Sequence, residues 1–237
     1  MSGVSSARQQ EVQRIVDALS VAIAQHRLKP GVRLIESQIV EALSANRNHV
    51  QAALQRLALQ KIVTIAPNRG ARVARPQARE AREVFIARRA IEGAMIAAIT
   101  PEKLACHQAE IDAHMQAEKR AIAGEDRRDI VRELSQFHLL LARISDNQVL
   151  IEMLENLMVR SSLIVALYQR NDSPACQCQE HSAVINALKA GEVAEAQAMM
   201  NEHLLQLEHQ LDLDDTPLKP SACVMRCSPA LNPVTAA

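Results

Sequence analysis

Val12, Ile15, Val16, Leu19, Ala22 and Ile23 recur at spacings of three and four, which predicts an amphipathic helix over about residues 8 to 26. Pro30-Gly31 breaks the pattern. After Leu34 and Ile35 the spacing predicts a short helix near residues 37 to 43, with Ile39, Val40 and Leu43 turned to a shared core. Ser44-Ala45 is a turn, and Asn46 is a good N-cap for a third helix near residues 47 to 60. There Val50, Leu54 and Leu57 point inward, which leaves Arg47, Asn48, Gln51, Gln55 and Arg56 largely outside. Residues 62 to 65 and 71 to 73 read as two short strands around the turn Pro67-Asn68-Arg69-Gly70. Helix, short helix, basic helix and hairpin in that order make a winged helix-turn-helix, an arrangement that puts one helix into a DNA groove.

From Arg79 onward the strand signal almost vanishes and apolar residues repeat at helical spacing. Val84, Ala87, Ile91, Met95 and Ala98 mark one helix, which Thr100-Pro101 ends or separates from the next, running to about Ala123. A third spans about residues 127 to 144, with Ser145-Asp146-Asn147 as loop and cap, and a fourth passes through Leu150, Leu154, Leu157 and Ile164. Pro174 opens the next stretch. Two last helices, about residues 176 to 189 and 193 to 211, are joined by Ala190-Gly191-Glu192, with Gly191 suited to a left-handed C-cap. So short a link implies antiparallel packing. The fold class is therefore mostly α: an N-terminal winged helix-turn-helix plus a C-terminal all-helical antiparallel bundle. The expected boundaries are 1–76 for the winged domain and 77–211 for the bundle, with 212–237, rich in Pro, Ser and Ala, a tail expected to be disordered.

Charge divides at the same place. The whole chain is neutral, but residues 1–76 hold 11 Lys or Arg against 4 Asp or Glu, and the remainder holds 16 against 23. A positive module attracts phosphate and releases its condensed counterions, which makes such binding salt-dependent, whereas the acidic part should avoid DNA. Aromatics are only 1%, with no Trp, so base stacking on aromatic platforms is disfavoured and Leu, Ile, Met and Ala must fill the core. No run is long enough to span a bilayer. The five cysteines are an odd number, Cys176 and Cys178 lack a second pair at zinc spacing, and no export signal is visible; these features point to reduced thiols in the cytoplasm.

Leu28-Lys29-Pro30-Gly31-Val32-Arg33-Leu34, the run from Asn46 to Leu57 and Pro67-Asn68-Arg69-Gly70-Ala71-Arg72-Val73 resemble the DNA-binding domain of GntR-family bacterial transcription regulators. The chain departs from that pattern at Asn46, where a Ser is usual, and at Gln51-Ala52, where an Arg-Glu pair is usual. An Arg in the groove favours the paired acceptors of guanine, whereas a Gln can pair with adenine, so Gln51 is expected to favour adenine or to contact only backbone. Arg47, near the helix N-terminus, is placed for direct base or phosphate contact. Arg69 at the wing tip would reach the minor groove or its phosphates. Arg33, Asn48, Arg56 and Asn68 complete the candidate DNA-binding set.

The helical part resembles the FCD-type C-terminal domain of the FadR subfamily, on the run from Glu83 to Glu92, Phe137-His138, Asp146 to Leu150, Glu180 to Ile185 and Met200 to Leu204. That resemblance implies a divalent metal, held by three His and one Asp, and a carboxylate metabolite in the bundle. By position the three are His138, His181 and His203, whose imidazoles suit zinc or nickel. The Asp position, one turn before the first His, is Leu134, which cannot ligate; Glu133 is rotated away around the helix. Either water and an effector carboxylate complete a three-His site, or the metal is lost and the histidines bind effector directly. Arg88 matches an Arg that faces the pocket in relatives and could grip a carboxylate with two hydrogen bonds.

The expected function is a metabolite-responsive regulator, a repressor by the commonest logic, binding an inverted-repeat DNA operator as a homodimer with a small organic acid as effector. Two other readings stand beside it. One is an architectural DNA-binding protein without effector, an option that Leu134 keeps open. The other is a three-His metalloenzyme, which lacks a carboxylate placed as general base and leaves the basic module unexplained.

Overall fold

The chain is described by a computed structural model that covers residues 3–124, 126–169 and 177–213. Contacts divide it after Pro76 into two units. In the first, α1 (Gly3–Ala24), α2 (Glu36–Leu43) and α3 (Arg47–Leu59) are followed by the wing strands β2 (Val63–Ala66) and β3 (Gly70–Val73). The apolar stripe of α1 is buried as its spacing requires: Ile15, Leu19, Ala22 and Ile23 are fully inaccessible, and α1 lies on α3 through Val50, Ala53 and Leu57, also inaccessible. Val40 and Leu43 of α2 are only half-buried, so Ile39 alone anchors that helix fully.

One element escaped the sequence pattern. Arg33–Leu34 forms a two-residue strand, β1, which pairs antiparallel with β3 so that the sheet order is β1-β3-β2. Two residues carry no periodicity, and the strand exists because Gly31 and Val32 hydrogen-bond across to Val73. Gly31 sits at φ 82°, with the Arg75 side chain 2.9 Å from where a Cβ would stand. At the wing tip Asn68 adopts φ 59° and Gly70 φ 72°, the left-handed conformations that a tight hairpin needs.

The second unit, residues 77–213, is all helix: α4 (Ala78–Ala97), α5 (Pro101–Cys106), α6 (Gln108–Gly124), α7 (Arg127–Ser145), α8 (Gln148–Tyr168), α9 (Gln177–Lys189) and α10 (Val193–His209). The single helix expected up to Ala123 is two, broken at His107 (φ −107°, ψ 12°), because Leu104 and Ile111 keep a helical spacing across the break and hide it in the sequence. Thr100 caps α5 through Lys103 N–H, and Asn147 caps α8 through Leu150 N–H. Between α9 and α10, Gly191 takes φ 77° while Glu192 N–H bonds to Ala187 C=O, a Schellman closure.

Helix α4 packs on α10 and α8, α10 on α9, and α6 on α7, around a core that includes Ile96, Phe137, Leu140, Leu141, Leu154 and Leu204. Asp212 and Leu213, at the start of the tail expected to be disordered, are held: Asp212 N–H donates to Tyr168 C=O, and Leu213 is buried, its carbonyl accepting from Arg82. The rest of that tail, with Pro174 and Cys176, lies outside the described residues. No described helix is long and apolar enough to cross a membrane.

Candidate DNA-reading face and histidine centre

In the first unit the outward face of α3 carries Arg47, Asn48, Gln51, Gln55 and Arg56, all exposed. Asn46 caps the helix by accepting from Asn48 N–H at 2.8 Å, so the helix begins where the candidate DNA-contact residues begin. Arg47 and Gln51, one turn apart, both reach back to the carboxylate of Glu36 at the start of α2: Gln51 Nε2 donates to Oε2 at 2.9 Å and Arg47 Nε lies 3.4 Å from the same oxygen. Asn68 and Arg69 are exposed at the wing. Arg33 on β1 stands directly opposite Arg72 on β3, whose other neighbour is Thr64 of β2. All three are exposed, so this face of the sheet bears a cross-strand pair of cations. Arg72 was not among the sequence candidates; the β1 pairing that sets it beside Arg33 has no local signature.

The second unit brings His138 of α7, His181 of α9 and His203 of α10 together, all buried, with one nitrogen of each within 4.8 Å of the others. His181 Nε2 and His203 Nε2 are 3.3 Å apart. Behind each ring stands a carboxylate on its Nδ1: Glu92 Oε2 at 2.5 Å from His138, Glu118 Oε1 at 2.8 Å from His181, and Glu180 Oε2 at 2.6 Å from His203. A carboxylate accepts, so each Nδ1 carries the proton and each Nε2 keeps a free lone pair. Phe137 stacks on His181 with centroids 3.8 Å apart and planes 12° from parallel, which fixes that ring's tilt.

Electrostatics agrees with neutral rings at His138 and His181. Burial pushes the His138 imidazolium down to about 3, against the pull of Glu92, and burial also lowers His181. Burial acts to raise Glu92, yet Arg88 and His138 hold it at about 2; for Glu118 burial is likewise outweighed, by hydrogen bonds from His114 and His181, giving about 2. The carboxylates on the three Nδ1 atoms form the kind of second shell that orients metal-binding histidines. The 3.3 Å edge equals about the nitrogen separation of a tetrahedral zinc with bonds of about 2.0 Å. These residues fit a divalent ion.

Among the described residues no carboxylate joins them in front. Leu134 is buried against Ile130 and Cys178, and Glu133 accepts from Arg132 instead. Glu92, Glu118 and Glu180 sit on the Nδ1 side of their rings, away from the Nε2 edge. Arg88 is buried too, with Nε on Glu92 at 2.8 Å and Nη1 on Ser161 Oγ at 2.9 Å, while Nη2 has no hydrogen-bond partner among the described residues. It is tied to the histidines through Glu92. The sequence reading missed all three carboxylates, which lie 46, 63 and 23 residues from the rings they hold. Cys178 is a free, buried thiol pushed up by burial and by Glu118, which makes it a poor nucleophile.

Residues 83–206 match the FCD domain family, and residues 11–73 match the family described as bacterial regulatory proteins, gntR family. The chain belongs to the GntR family and carries an FCD domain. It is similar to the HTH-type transcriptional repressor RspR of Escherichia coli (strain K12), 25% identical over 202 residues that cover 84% of this chain and 88% of that one. Among solved structures it resembles a GntR regulator of Rhodococcus sp. RHA1 (TM-score 0.73, 25% identity, 85% of this chain and 97% of that one). It also resembles E. coli McbR/YncC in fold (TM-score 0.73, 24% identity, 84% and 98%). As a GntR-family member the protein is a transcription regulator and not an enzyme, which removes the three-His metalloenzyme reading.

Proposed function

We propose that this GntR-family chain is a repressor that binds an inverted-repeat operator as a homodimer and releases it when a small carboxylate enters the histidine centre. On DNA, α3 lies in the major groove with Arg47, Asn48, Gln51 and Arg56 toward bases and phosphates, while Asn68 and Arg69 extend to the neighbouring minor groove. Arg33 and its cross-strand partner Arg72 supply phosphate contacts beside them. The repressor sign follows the printed name of the E. coli relative.

The single observation that carries the effector half is the convergence of three histidine nitrogens, each ring backed by a carboxylate, with no further protein ligand in front of them among the described residues. His138, His181 and His203 would hold a zinc or nickel ion, which supplies a positive centre for an incoming oxygen anion. Since three neutral imidazoles leave the ion's charge undiminished, an anionic ligand is favoured there more than in a site with an Asp. Arg88 Nη2, a buried donor without an acceptor among the described residues, offers a second contact to the same carboxylate. A ligand held by residues of α4, α7, α9 and α10 can shift those helices against one another, and that change would separate the paired reading heads.

Metal analysis of the purified protein, followed by thermal melting against zinc, nickel and a panel of small organic acids with and without chelator, tests this reading. The expected result is stabilisation by acids only when metal is present, with loss of operator binding at the same concentrations. Stabilisation by neither, with dimeric DNA binding intact, would favour the architectural reading that Leu134 keeps open.

A further inference from the structure

Glu36 is an acidic residue among exposed cations that face DNA in the reading above. A carboxylate there repels phosphate, so its presence calls for a compensating role. One of its two oxygens, Oε2, accepts from Gln51 Nε2 at 2.9 Å and lies 3.4 Å from Arg47 Nε. The side chain of Glu36 is 37% exposed and that of Arg47 is 75% exposed, so these contacts stand at the surface of α2 and α3 rather than in the core.

A glutamine amide offers a donor and an acceptor of nearly equal size, and a free one flips between two orientations that present opposite patterns. Beside a carboxylate the two are not equivalent. The amide nitrogen must face Glu36, because the amide oxygen there would set two acceptors against each other. With one N–H committed, Gln51 turns outward its remaining N–H and its oxygen in a set order. That pair matches N7 and the exocyclic amino group of adenine in the major groove. The Arg47 contact is made by Nε, which leaves its two terminal nitrogens for a phosphate or a base.

We propose that Glu36 is a positioning residue for operator reading: it holds the Gln51 amide in the orientation that selects adenine, at the expense of affinity for DNA in general. The inference rests on the placement of α3 in the major groove. It concerns only which sequence is chosen there.

The experiment is selection from a randomised duplex library by the full-length chain, followed by titration of the winning duplex with each of the four bases at the selected adenine. Wild type, Glu36→Ala, Glu36→Gln and Gln51→Ala are compared, each checked by thermal melting. Wild type should prefer adenine about tenfold or more at one position per half-site. Gln51→Ala should lose that preference, and Glu36→Ala should reduce it to about threefold or less while binding random duplex as tightly as wild type or more so. Glu36→Gln, whose amide can accept from or donate to Gln51 and so pairs with either orientation, should lower the preference as Glu36→Ala does. The proposal is overturned if Glu36→Ala keeps the wild-type preference, or if its affinity for winning and random duplexes falls in parallel. It also fails if Gln51→Ala selects the wild-type site unchanged, an outcome that leaves DNA recognition by α3 standing. Failure of the wild type to select any site would instead defeat the regulator reading itself.

Discussion

At the residue scale the histidine centre depends on which nitrogen of each ring is free, and that is decided by Glu92, Glu118 and Glu180 rather than by the histidines. Removing one of these partners lets the ring rotate or change tautomer. Glu180→Gln or Glu118→Gln should therefore weaken zinc or nickel binding by about tenfold to a hundredfold, measured by competition with a chromophoric chelator. Unchanged affinity in both variants would show that the carboxylates do not orient the rings. Leu134 gives the complementary test. It sits one turn before His138 and is buried against Ile130 and Cys178. Leu134→Asp should tighten metal binding and, without metal, lower the melting temperature, since a carboxylate then replaces a packed apolar side chain.

At the element scale the helix ends are set by single side chains. Asn46 starts α3 by accepting from Asn48 N–H, so Asn46→Ala should cost about 1 kcal/mol in urea unfolding and loosen the first turn that carries Arg47. Gly191 meets nothing within 4 Å of a built Cβ but stands at φ 77°. Gly191→Ala should therefore destabilise by about 1 kcal/mol from backbone strain alone, with no packing penalty. The wing adds a charge argument. If the Arg33 and Arg72 pair contacts phosphate, Arg72→Ala should reduce the slope of log affinity against log salt by about 1, equally for specific and random duplexes. Most of these elements were legible: α1, α3, the wing hairpin and the α9–α10 turn all carry local signals in stripe, cap or glycine. Strand β1 was not, because two residues have no period, and the break at His107 was masked by an apolar spacing that continues through it.

At the scale of the whole molecule the two units have different electrostatic tasks, one positive toward DNA and one built around buried histidines. The second has a consequence for acid stability. In chelator-treated protein His138 titrates near 3, against an ordinary 6.5, so the unfolded chain takes up that proton first and stability falls as pH drops below 6.5. Glu92 and Glu118, held at about 2 against an ordinary 4.5, add a further loss below 4.5. Both effects have the same sign. Melting of the metal-free protein should therefore occur at lower temperature at pH 5 than at pH 7, and His138→Phe should flatten that dependence; a pH-independent melting temperature would contradict the buried neutral assignment.

The amino-acid sequence by itself determined the two-part plan, the reading helix, the wing and the three histidines, because each is written in local periodicity, turn residues or motif spacing. Tertiary packing alone decided that Glu92, Glu118 and Glu180 stand behind those rings, that Arg72 lies beside Arg33, and that Glu36 holds Gln51. The physical reason is one of range: helical periods and caps act over a few residues, whereas a hydrogen bond between side chains 15, 46 or 63 positions apart exists only once the helices carrying them have packed.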